Sequence, residues 1–285
     1  MDHAKLPRIA ASSYLNTAPL IWSFIEGAQS ENVRLFTHEA PARCAVMLSQ
    51  SDVDAALVPV IEYQRMDGVQ LVPSVCVGSR RRVKSVVMVT RLADLREVRS
   101  VALDTSSRTS AALVEIIFKE FIGISPVLQP AHANLRDMLA GADAALIIGD
   151  PAMTFPRDGL HVHDMAALWR EYTGLGFVFA MWMIRESALE ILKQVDFAAA
   201  RDEGLANAAK IADRYEKDLG LHYEELYAYL TENISFSLNE EMKMGLERYY
   251  FLAKKHGLIS EVRPLKFCAG PALVDNNADA GILNA

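Results

Sequence analysis

The strongest local chemical signal in the chain is the segment Thr105-Ser106-Ser107-Arg108-Thr109-Ser110. It follows a predicted strand over residues 100–104 and opens a helix predicted to run to Phe121. Hydroxyls, a guanidinium and free backbone N–H groups at a helix start suit an anion. An ordinary N-cap needs one Ser or Thr, so six successive donors favour a ligand over a cap. No glycine-rich phosphate loop is present, which favours a small carboxylate over a nucleotide. Ser106, Arg108, Thr109 and Ser110 are the expected anion contacts.

Ligands of alternating α/β sheets bind beyond the carboxyl ends of strands. Four segments occupy such ends: Ser12 to Thr17, Val58 to Glu62, Thr105 to Ser110 and Gly149 to Pro151. The first offers Ser12, Tyr14 and Asn16; the last offers Asp150. Tyr14 also reads as a packed ring, and Asn16 as a helix cap, with Thr17 the alternative. Asp150 orients a hydroxyl or caps the next helix. His161 and His163, two apart, share a face on a strand, but no third metal ligand accompanies them, so surface histidines are expected. Trp169, Tyr172, Phe177, Phe179 and Trp182 read as core more than as an aromatic wall. The chain has no GxSxG, HExxH or CxxC.

The elements that must position these residues alternate. Strands are expected at 8–12, 33–37, 54–60, 69–78, 84–90, 100–104, 143–149 and 176–185. Helices are expected from Asn16 or Thr17 to Gly27, over 41–49 and 134–139, and from Asp164 to Gly174. From Glu186 the pattern is helical almost to the end. DAALV at 54–58 is echoed by DAALI at 143–147. Short apolar runs of this kind are buried on both faces of a parallel sheet. Two similar α/β lobes follow: 1–90 plus 180–285, with 91–179 inserted, and a ligand cleft between them.

Composition bounds the function. The 285 residues are 51% hydrophobic and 23% charged, which excludes disordered, collagen-like and coiled-coil chains. Lys+Arg 29 against Asp+Glu 36 gives a net charge of −7, without the positive face nucleic acid requires. Cys44, Cys76 and Cys268 are too scattered for a disulfide framework or a zinc site. No apolar run reaches the ~20 residues of a spanning helix, and residues 6–25 lack the unbroken apolar core of an export signal. A cytoplasmic protein with no membrane partner and no metal is expected. Composition leaves the oligomeric state open.

Six segments, in order and spanning nearly the whole chain, resemble the MqnA family of chorismate dehydratases from menaquinone biosynthesis. They are YLNTAPL at 14–20, DAALVPVIEY at 54–63, SSRTSAALVEI at 106–116, LIIGD at 146–150, WREYTGLGFVFAMW at 169–182 and LNEEMKMGLERYYFLAKKHGLI at 238–259. The resemblance implies a periplasmic-binding-protein-like type II fold used as an enzyme. It implies dehydration of chorismate, a dicarboxylate, to 3-[(1-carboxyvinyl)oxy]benzoate by the futalosine route, without a cofactor. It makes Asn16 the catalytic candidate, hydrogen-bonding the departing hydroxyl or a carboxylate, and Ser85 a further substrate contact. The base is then a substrate carboxylate, or Asp150 or Glu62. Two alternatives stay open. One is the sister MqnD family, lyases of cyclic dehypoxanthine futalosine that rely on a His where this chain reads IIGD. The other is a solute-binding protein without catalysis.

Overall fold

The computed structural model describes residues 6–269. It holds two five-stranded mixed sheets, each flanked by helices, forming two lobes. The first sheet contains β1 (Arg8–Ser12), β2 (Arg34–His38), β3 (Ala55–Pro59), β4 (Val69–Ser79) and β10 (Phe177–Arg185). Its order is β2-β1-β3-β10-β4. The second contains β5 (Val86–Thr90), β6 (Ser100–Asp104), β7 (Val127–Ala131), β8 (Ala144–Ile148) and β9 (His161–Asp164), in the order β7-β6-β8-β5-β9.

The two orders are the same pattern. In each sheet four strands run in one direction, and one, β10 or β5, runs antiparallel between the third and the fifth. The echoed segments DAALV and DAALI enter β3 and β8, which hold the same place in their sheets. Every residue of both strands is buried, as expected for strands covered on both faces. The chain passes between the sheets twice, from β4 to β5 and from β9 to β10.

Helices follow the strands. They are α1 (Ala18–Ile25), α2 (Pro41–Ser49), α3 (Arg108–Ile116), α4 (Leu135–Gly141), α5 (Pro151–Thr154) and α6 (Met165–Thr173). After β10 come α7 (Phe197–Ala206), α8 (Ala208–Leu219), α9 (Tyr223–Ala228) and α10 (Glu240–Lys255). Pro19 sits in the first turn of α1, where a missing N–H costs nothing. The core is aromatic: Trp169 packs edge-on to Phe177 at 5.3 Å, and Phe177 to Tyr249 at 5.2 Å. α10 locks both sheets together. Its Tyr249 hydroxyl donates to the Thr109 carbonyl at 3.0 Å, and its Tyr250 hydroxyl to the Val60 carbonyl at 2.6 Å.

Three local expectations are corrected. The helix expected to reach Phe121 is α-helical only to Ile116. It widens into a π turn over Ile117–Ile122, which Gly123 closes in the left-handed region at φ 81°. The tail is not helical throughout. Residues 235–236 lie along β4, with the Cys76 and Gly78 N–H groups donating to the Phe236 and Ser235 carbonyls. Leu71 of β4 also bridges to Phe267. These segments satisfy the edge that β4 would otherwise expose. The strand β7 was not anticipated, because an exposed edge strand carrying Gln129 and Pro130 has no apolar alternation.

Candidate active site

The loop after β1 is built around one hydroxyl. Thr17 precedes α1, but its side chain makes no cap bond. Instead Ser12 Oγ lies 2.7 Å from Thr17 Oγ1, and Thr17 Oγ1 donates to Asn16 Oδ1 at 3.2 Å. With its carbonyl oxygen engaged, the Asn16 amide keeps its two N–H donors for other partners. Tyr14 stands at the start of the same loop. Burial raises its phenol above the ordinary value, so it stays protonated.

The facing loop follows β8. Gly149 has φ 69°, and a Cβ there would lie 2.7 Å from the Tyr14 ring. Only glycine meets both demands without strain. Asp150 follows, and its Oδ1 accepts the Leu15 N–H at 3.0 Å. That bond joins the end of β8 to the end of β1. Burial pushes the Asp150 carboxyl up to about 6, only partly offset by the Leu15 N–H. Tyr215 of α8 closes over the loop, its hydroxyl donating to the Ser13 carbonyl at 3.0 Å.

Asp150 makes stability depend on pH. Its folded-state value lies above the ordinary 3.8, so the folded protein holds a proton that the unfolded chain releases. That contribution is fully present below about 3.8 and is lost as pH rises through about 6. The ionised carboxylate therefore costs the folded state up to about 3 kcal/mol at neutral pH. Asp150→Asn should melt several degrees higher than the wild type at pH 7 and lose the advantage near pH 4. Parallel melting curves across that range, with no pH-dependent difference, would refute the assignment.

The donor-rich segment divides in two. Ser107 caps α3, accepting the Ser110 N–H at 3.4 Å, and the two hydroxyls lie 2.7 Å apart. Both line the cleft. Arg108 and Thr109 turn away from it, which corrects the expectation of four grouped anion contacts. Arg108 Nη1 pairs with Glu62 Oε2 at 2.7 Å, and Arg65 engages the other oxygen at 3.0 Å. Thr109 Oγ1 is buried and accepts the Ile61 N–H at 3.3 Å. Ser106 donates to Asp104 Oδ1 at 2.6 Å and adjoins the Tyr14 hydroxyl. The paired guanidiniums also occupy Glu62 and leave it poorly placed as a base.

The cleft is lined by Ser12, Tyr14, Asn16, Thr17, Ser107 and Ser110 on its polar side. Leu57, Val77, Val86, Ile148 and Phe179 supply apolar walls. Its internal volume is about 40 Å³, room for a few waters at roughly 10–15 Å³ each. Ser85 lies just behind Val86, 1% exposed, and receives the Tyr229 hydroxyl at 2.6 Å. Ser107 belongs to the donor-rich segment but is not among its expected anion contacts, and Tyr229 is not expected at the site at all. The Ser107 cap has a local signal, a Ser three residues before Ser110. Tyr229 has none, since it meets Ser85 across 144 residues. Of the five aromatic residues weighed for a wall, Phe179 alone lines the cleft. His161 and His163 sit on the edge strand β9, and no cluster of three metal-ligating side chains occurs among the described residues.

Residues 7–255 match the model of a family described as menaquinone biosynthesis. A chorismate dehydratase of Thermus thermophilus is 31% identical over 260 residues, 83% of this chain and 91% of that protein. In structure, a protein of Archaeoglobus fulgidus superposes with a TM-score of 0.70 at 16% identity, covering 90% of this chain and all of that one. A Candida albicans protein described as having the generic periplasmic binding protein fold gives 0.61 at 12% identity, over 91% and 92% of the two chains.

Proposed function

The chain belongs to this menaquinone-biosynthesis family, and we propose that it dehydrates chorismate to 3-[(1-carboxyvinyl)oxy]benzoate as a carbon–oxygen hydro-lyase. One observation carries the reading beyond family membership. Polar groups from the ends of two strands, β1 and β6, one in each sheet, converge in a cleft whose other walls are apolar. Chorismate has matching parts: a hydrocarbon ring, two carboxylates and one ring hydroxyl.

The start of α3 takes one carboxylate through Ser107, Ser110 and the free N–H groups of its first turn. Ser12 and Tyr14 line the path of the ring. Asn16 holds the leaving hydroxyl, because Thr17 occupies its carbonyl oxygen and leaves the amide N–H groups to donate. In the reaction a ring C–H proton is lost to a base. The C–H electron pair enters the ring, the C–O bond breaks, and hydroxide departs with a proton as water. Aromatisation supplies the drive. The base is a carboxylate of the substrate itself. Glu62 is engaged by two guanidiniums, and Asp150 is not among the residues that line the cleft. No cofactor enters this scheme. The expected lobe bounds, 1–90 plus 180–285 and 91–179, shift at both crossings, because β5 (Val86–Thr90) belongs to the second sheet and β10 enters the first at Phe177. We assign the work to the cytoplasm. With only about 40 Å³ in the cleft, the lobes must part to admit the substrate.

Purified protein offered chorismate and cyclic dehypoxanthine futalosine separately should consume only chorismate, giving an aromatic acid lighter by one water. Consumption of the futalosine derivative alone would move the protein to the sister lyases.

A further inference from the structure

Tyr229 brings together two segments far apart in sequence. It opens a π turn, Tyr229–Asn233, directly after α9. Such turns are rare and occur often at functional sites. The side chain is 1% exposed, and a buried tyrosine hydroxyl needs a polar partner. A backbone carbonyl would serve, as it does for the nearby buried hydroxyls of Tyr249 and Tyr250. Tyr229 instead donates to the Ser85 hydroxyl at 2.6 Å, and the Asn16 side chain adjoins the same oxygen. Burial lifts its phenol far above the ordinary value, so it remains a donor at any working pH.

Ser85 is restrained from its other side as well. Lys84 has φ 60°, a left-handed conformation uncommon for a residue with a side chain. The Asp164 carboxylate holds it there, accepting the Val83 and Lys84 N–H groups at 3.2 and 2.7 Å. The backbone before Ser85 is thus clasped by Asp164, and its hydroxyl by Tyr229. Because Tyr229 donates, the Ser85 proton is turned away from it and left for another acceptor.

Resting on the dehydratase reading, we propose that Tyr229 is a positioning residue that sets the Ser85 hydroxyl and the Asn16 amide in one geometry for the same substrate. It acts through them and does not touch the reacting atoms.

The test is a double-variant cycle on chorismate with Tyr229→Phe, Ser85→Ala and the pair. Tyr229→Phe should lower kcat about 10-fold or more with KM little changed, the signature of a lost orientation. In the Ser85→Ala background the same substitution should lower kcat by less than about half that factor on a logarithmic scale, because residues acting through one another are not additive. Wild-type kcat in Tyr229→Phe, or fully multiplicative effects, would overturn the proposal. A crystal structure of Tyr229→Phe reads the same claim without turnover. Ser85 Oγ and the Asn16 amide should leave their wild-type rotamers, and unmoved side chains would overturn it. A wild-type protein inert toward chorismate would overturn the dehydratase reading alone, and that crystal structure would still decide the role of Tyr229.

Discussion

Asn16→Leu should still bind chorismate and turn it over at least ~100-fold more slowly, a loss of about 2.7 kcal/mol of transition-state stabilisation. Leucine has a similar volume, so the half-buried site stays filled. What disappears is an amide oriented by Thr17 through its oxygen. Charge develops on the leaving hydroxyl only as the C–O bond stretches. An N–H donor aimed there acts mainly in the transition state, so kcat should fall while KM changes little. Steady-state rates and equilibrium binding, measured together, check this. Near-normal turnover would reduce Asn16 to a loop residue and move attention to Asp150 at the facing strand end.

Trp182→Ala should lower unfolding stability by about 3–5 kcal/mol, the range for removing a large buried aromatic. Trp182 has no exposure and lies on β10, the strand between β3 and β4. Its ring packs 4.8 Å from Phe197 and 6.2 Å from Phe24, centre to centre. Phe24 belongs to α1, which carries the Asn16 loop at its start. The cavity would therefore loosen the helix that aims the site. Denaturant unfolding should show a lower midpoint with an unchanged slope. A loss below about 1 kcal/mol would mean that the neighbouring rings collapse into the space.

The two lobes were legible because burial leaves a strong local mark. β3 and β8 are covered on both faces, and their near-identical apolar runs show it directly in the sequence. The edge strand β7 has no such mark, since it faces solvent and carries Pro130. At the site, strand ends could be placed by counting elements, which led to Ser12, Tyr14, Asn16, Ser110 and Asp150. Side-chain direction could not. Arg108 looked like an anion ligand because nothing local discloses Glu62, 46 residues earlier, as its partner. Thr109 looked free for the same reason, its hydroxyl being taken by the Ile61 N–H. Asp150 was legible as a polar strand end, but its bond to the Leu15 N–H requires the two lobes to meet.

The most direct test compares wild type with Asn16→Leu on chorismate in one experiment, following substrate and aromatic product by chromatography. The wild type should convert chorismate, molecule for molecule, to 3-[(1-carboxyvinyl)oxy]benzoate over many turnovers, and the variant should do so at about one hundredth of that rate or less. Chorismate recovered unchanged from a wild-type protein that binds it would contradict the account and leave a binding protein in place of an enzyme.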